Sequence, residues 1–91
     1  MDPRLGYPRA RAEVVFRQLD DEWVVYDPTR DRLHALNLSA AMVWAHCTGD
    51  HEVSDIAAAV GAAFTPPRPA TDVLSDVEAA LKRFQAEGLL E

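Results

Sequence analysis

Residues 14–36 read Val14-Val15-Phe16-Arg17-Gln18-Leu19, Asp20-Asp21-Glu22, Trp23-Val24-Val25-Tyr26, Asp27-Pro28-Thr29-Arg30-Asp31 and Arg32-Leu33-His34-Ala35-Leu36. The first and third of these runs are rich in β-branched and aromatic residues. Between them lies an acidic segment of turn length, the signature of a β-hairpin. Asp27-Pro28 then places an aspartate and a proline where a second turn wants them, and Arg32–Leu36 supplies a third strand antiparallel to the second. Such a meander leaves its first and third strands as edges, with N–H and C=O groups that must be blunted or used. The third strand is short and carries neither Pro nor Lys.

At Asn37 the apolar period changes from two to 3.6. Asn37 or Ser39 can cap a helix whose inner face is Ala40, Val43, Trp44 and Cys47, with Gly49 closing it. A second helix is expected from Ser54, with Asp55 complementing its dipole and Ile56, Val60, Ala63 and Phe64 as its stripe. Its runs of Ala give propensity more than burial, and Gly61 interrupts it. Thr65-Pro66-Pro67-Arg68-Pro69 cannot continue a helix and reads as a stiff linker. The third helix is expected from Thr71 or Asp72 to Glu87, with Val73, Leu74, Val77, Leu81 and Phe84 apolar, Gly88 terminating it, and Leu89 and Leu90 folding back on the core. The fold class that follows is α+β, a three-stranded antiparallel sheet followed by three helices on one of its faces. Residues 1–12, with Pro3, Gly6, Pro8 and three arginines, are expected to form a flexible or partly ordered arm ahead of a domain at 13–91.

Ninety-one residues suffice for one core. Leu, Ile, Val and Phe number 22, about 24% of the chain and above the level of disordered sequences. The net charge is −6, and it is uneven: residues 1–17 carry +2 and residues 18–91 carry −8. A nucleic-acid function would have to overcome that field. Cys47 is the only cysteine, so an intrachain disulfide is impossible. Neither a membrane-length apolar run nor a secretory apolar stretch is present, and a cytoplasmic, membrane-free location is expected.

Four segments carry a resemblance to a known family: Trp23-Val24-Val25-Tyr26-Asp27-Pro28; Leu36-Asn37-x-Ser39-Ala40-Ala41-x-Val43-Trp44; the Gly49-Asp50 turn followed by Val53-Ser54-Asp55-Ile56-Ala57; and Leu81 through Gly88-Leu89-Leu90. Over residues 13–91 the chain resembles the PqqD-like family, small peptide-binding domains also called RiPP precursor recognition elements. The resemblance implies a winged helix-turn-helix fold without catalysis or cofactor. It also implies a peptide chaperone that binds the leader part of a precursor, or a partner-protein segment, and presents it to a modifying enzyme. That enzyme is often a radical-SAM protein, and some relatives belong with an HPr-kinase-like system. In the family the peptide adds to the third strand in a groove walled by the last helix. Carried over, that marks Arg32, Leu33, His34, Ala35 and Leu36, with the outward positions among Val77, Leu81 and Phe84. The dense prolines at 66, 67 and 69 and the Arg-bearing arm depart from the family pattern.

The residues alone lead part of the way to the same place, since an unblunted edge beside an apolar helix is the geometry for strand addition. Other readings compete. His46, Cys47 and His51 tempt a metal assignment, but the spacing lacks a second ligand pair, and Cys47 reads more simply as a small buried hydrophobe. Asp20, Asp21 and Glu22 read as a solvated turn rather than an acid/base cluster. Trp44 reads as a core anchor, whereas Trp23 reads equally as core or contact residue. Phe84 is either core filler or groove wall, and the width of the Val77, Leu81 and Phe84 stripe favours the wall. A winged-helix DNA-binding regulator is the rival function, opposed by a third helix that opens with Asp72 and carries Asp76 and Glu78. A structural subunit is the third reading. An edge that accepts a peptide can also accept a second copy of the chain, making a homodimer.

Overall fold

The computed structural model describes residues 6–91. Its elements are β1 (Val15–Leu19), β2 (Glu22–Asp27), β3 (Arg32–Leu36), α1 (Leu38–Ala45), α2 (Val53–Ala62) and α3 (Ala70–Ala86). The sheet has the order β1-β2-β3, antiparallel throughout, and the α+β arrangement of three strands followed by three helices is the one expected. Both tight connections use aspartate in the left-handed region: Asp20 at φ 52° and Asp31 at φ 51°, a conformation Asp tolerates better than most residues. Asp27 accepts the Thr29 N–H at 3.0 Å, locking the second turn.

The core lies between one face of the sheet and the helices. Val25 and Leu36 come from the sheet, Val43, Trp44 and Cys47 from α1 and its end, Ile56 and Val60 from α2, and Val73, Val77, Leu81 and Phe84 from α3. Trp44 is the anchor its spacing implies, set edge-on to Phe84 with ring centroids 5.2 Å apart and planes at 87°. Asn37 caps α1, its Oδ1 accepting the Ala40 N–H at 2.8 Å. At the other end of the helical layer, Gly88 at φ 71° ends α3. Its N–H donates to the Gln85 carbonyl, and the Leu89 N–H donates to the Phe84 carbonyl, the bond pair of a Schellman cap. Leu89 is thereby turned into the core, fully buried.

Four local expectations differ from what is found. α2 begins at Val53, so Ser54 lies inside it, and Glu52 at the cap position makes no side-chain cap bond. Gly49 lies beyond the end of α1, in the loop, where its N–H donates to the Pro8 carbonyl. Gly61 does not break α2: it lets the 65–69 segment approach so closely that a Cβ there would collide with the Arg68 carbonyl. Finally, residues 8–11 are bonded rather than loose. Ala10 N–H donates to the Cys47 carbonyl, Arg11 N–H to the Leu89 carbonyl, and Glu91 N–H to the Arg9 carbonyl, while Pro8 is fully buried. The segment is a strap between the α1–α2 loop and the C-terminal residues, so the ordered domain starts before Glu13. The remainder of the expected arm, residues 1–5, lies outside the described residues.

Candidate peptide-binding edge

β3 is paired with β2 along one side only, with Val24 opposite Ala35, Val25 opposite His34 and Tyr26 opposite Leu33. The Ala35 carbonyl accepts a hydrogen bond at 3.0 Å from Arg83 Nη2 on α3, which sets it facing away from β2. In an antiparallel ladder a residue's N–H and C=O point to the same side, and the side alternates residue by residue. Leu33 and Ala35 therefore direct their backbone groups to the open edge, whereas Arg32, His34 and Leu36 bond inward. Side chains alternate across the sheet faces instead: Leu33, 64% exposed, and Ala35 stand on the outer face, while His34 and the buried Leu36 face the helical side.

α3 runs alongside this edge and leaves a groove. One end is a cleft of about 500 Å³ bounded by Arg30, Arg32, His34 and the α3 C-terminal residues Gln85–Gly88. The other end, about 320 Å³, lies between Asn37, Ser39 and Ala40 and the Asp76, Ala79, Ala80 and Arg83 stripe of α3. Glu87 in the first cleft links the two: Arg83 Nε, from the lining of the second, lies 3.5 Å from its Oε1, and His34 Nδ1 lies 2.6 Å from its Oε2. His34 is the neighbour of that otherwise unsatisfied, buried carboxylate oxygen.

The structure thus brings Arg32, Leu33, His34, Ala35 and Leu36 to the edge as expected, although the Leu36 side chain is spent on the core. Val77, Leu81 and Phe84 are a correction. Their side chains are at most 1% exposed, packed beneath α3 against Trp44 and the rest of the core, so none of them walls the groove. With Val73 they form a helix stripe at spacings of four, four and three, which is one face, and that face here covers the core. The groove wall is the adjacent stripe, Asp76, Ala79, Ala80, Arg83 and Glu87. Sequence reasoning passed over these residues because they are polar or small. Their i, i+3/i+4 spacing beside the apolar stripe is the signal that could have found them.

Below the cleft, a buried charge pins the end of the groove. Asp27 is fully buried, with Arg11 Nη1 at 3.2 Å and Arg30 Nη1 at 3.1 Å from its Oδ2. Burial would push its carboxyl up, but the Arg30 bond, the Thr29 N–H and the Arg11 charge together outweigh it and hold the group below the ordinary range. Arg11 also donates to the Gly88 carbonyl at 2.8 Å, so one guanidinium ties the strap, the β2–β3 turn and the end of α3. Elsewhere, the Cys47 thiol turns into the core and donates to the Val43 carbonyl, and burial pushes it up to about 12. The His46 and His51 rings meet edge-on with centroids 5.7 Å apart. No helix among the described residues is long and apolar enough to cross a membrane.

The sequence profile of "Coenzyme PQQ synthesis protein D (PqqD)" matches residues 22–90, which span β2, β3 and all three helices. The chain belongs to the PqqD family. No curated protein matches it. Among solved structures, it is similar to a lasso peptide synthetase B1 complexed with the leader peptide, at TM-score 0.76 and 22% identity, covering 93% of this chain and 98% of that one. It is also similar to TbiB1 in complex with the TbiA(beta) leader peptide, at TM-score 0.74 and 20% identity, covering 91% and 94%. At these identities the likeness is one of fold, and this PqqD-family chain has it over nearly its whole length.

Proposed function

We propose that the chain is a peptide-binding adaptor. It takes an extended segment of a precursor peptide as a fourth strand on the open edge of β3, against α3, and presents that segment to a modifying enzyme. The observation that carries the reading is the outward-facing backbone of Leu33 and Ala35 beside a groove walled by α3. Main-chain bonds to that edge supply affinity, and the two ends of the groove take alternate side chains and supply selectivity. Family membership supports the adaptor role. That two solved chains of this fold are described with leader peptides bound supports a leader segment as the occupant and a peptide-modifying enzyme as the partner. The finer expectations have narrower support: a radical-SAM or kinase-like enzyme rests on the family resemblance, and self-pairing rests on the open edge.

Amide hydrogen exchange tests this reading, using a peptide selected on the full chain from a randomised decapeptide library. Binding by strand addition protects the Leu33 and Ala35 amides and leaves those of Arg32, His34 and Leu36, already bonded inward, unchanged. Protection confined to other surfaces overturns it.

A further inference from the structure

We infer that Arg83 gates the β3 edge: it caps the Ala35 carbonyl in the free protein and selects an incoming strand that carries a carboxylate beside the residue pairing with Ala35. The inference rests on strand addition at this edge. The edge is unblunted by Pro or Lys, yet the Ala35 acceptor is not left open, because Arg83 Nη2 fills it at 3.0 Å. A peptide strand donates to that same carbonyl, so its N–H competes with the guanidinium for the oxygen. The guanidinium fork has five donors and no acceptor. Its remaining partner, Glu87 Oε1, is 3.5 Å away, and the other oxygen of Glu87 is engaged by His34. The displaced fork keeps that one long pairing and has donors left for a second anion, and a carboxylate takes them bidentately.

Strand geometry fixes where the carboxylate sits. The Ala35 side chain stands on the outer face and those of His34 and Leu36 on the helical side. A paired strand repeats that alternation, so the residue opposite Ala35 points outward and its two neighbours point at α3. At the larger cleft Arg32 is exposed beside Arg30, whose guanidinium also pairs with buried Asp27, and Glu87 lines the same cleft.

The test selects a randomised decapeptide library on the full chain as wild type, Arg83→Met and Arg83→Glu. Strand pairing is read from loss of binding to Ala35→Pro, and the peptide residue opposite Ala35 from the alternating amide-exchange protection along the bound peptide. On the wild type, Ala35→Pro-sensitive peptides should be enriched in Asp or Glu at a position next to the Ala35 partner. Changing that residue to Gln or Asn should weaken binding at least fivefold on the wild type and less than twofold on Arg83→Met. Arg83→Glu should enrich Lys or Arg at the same position. An Asp or Glu preference that persists on Arg83→Met, or that is absent on the wild type, overturns the gate and leaves strand addition standing. Peptides that bind Ala35→Pro as they bind the wild type overturn strand addition, and the gate with it.

Discussion

Replacing Trp44 by Ala should remove a large part of the stability of this domain. The indole is 8% exposed, lies edge-on to Phe84 at 5.2 Å, and joins α1 to α3 at the centre of the only core cluster among the described residues. Truncating a buried Trp costs about 3–5 kcal/mol in transfer and cavity terms, of which the edge-to-face contact supplies roughly 1 kcal/mol. At ordinary per-residue stabilities, a chain of this length has only about 5–14 kcal/mol to lose. The melting temperature should therefore fall by roughly 12–40 °C. Urea unfolding followed by far-UV circular dichroism measures the change, with the denaturant slope checked so that a shift in midpoint reports stability alone. Trp44→Phe, which keeps a ring against Phe84, should lose less than half as much. A loss below about 1 kcal/mol for Trp44→Ala would refute the placement and make Trp44 a surface contact residue.

Three further outcomes follow from the same geometry. Asp27 has its carboxyl held down, so the stability it contributes is present above the unfolded carboxylate range near pH 4 and lost as pH falls through the lower folded value; urea midpoints of wild type and Asp27→Asn should converge below about pH 4. Gly61→Ala, which propensity alone would favour by about 1 kcal/mol, should instead destabilise by roughly 1–3 kcal/mol because the Arg68 carbonyl occupies the Cβ position, and thermal melts give the sign. Asn37→Ala removes the Oδ1 cap on Ala40 N–H and should cost about 1 kcal/mol in the same melts.

What the sequence made legible was whatever depends on local pattern. Alternation and β-branching in 14–36 gave the meander, Asp27-Pro28 gave its second turn, and Asn37 and Gly88 marked helix ends, each by its own side-chain or left-handed chemistry. The strap at residues 8–11 was not legible, because it is held by backbone groups that every residue has and by Pro8 burial, neither of which leaves a periodic signature. Asp27 was readable as a turn residue but not as a buried hub, since its partner Arg11 is 16 positions away and the Gly88 carbonyl that shares Arg11 lies farther still. Gly61 read as an interruption because the approach of Arg68 is a tertiary fact. At the site, the edge was legible from strand order. The groove wall was not, since the apolar stripe of Val77, Leu81 and Phe84 names the face that packs inward, and which neighbouring face meets β3 depends on how α3 is rotated about its axis.

Strand addition at β3 is tested most directly by a pair of proline substitutions one residue apart, since proline removes a single backbone donor. The His34 N–H bonds inward to β2 and its ring meets Glu87, whereas the Ala35 N–H faces the open edge and its carbonyl, which proline retains, still accepts from Arg83. Titration calorimetry with a peptide selected on the wild-type chain from a randomised decapeptide library, run beside thermal melts, separates the two effects. Ala35→Pro should melt close to the wild type yet bind at least about tenfold more weakly, the scale of one or two lost hydrogen bonds, while His34→Pro should lose stability first. An Ala35→Pro protein that folds and binds the peptide as the wild type does would contradict the account.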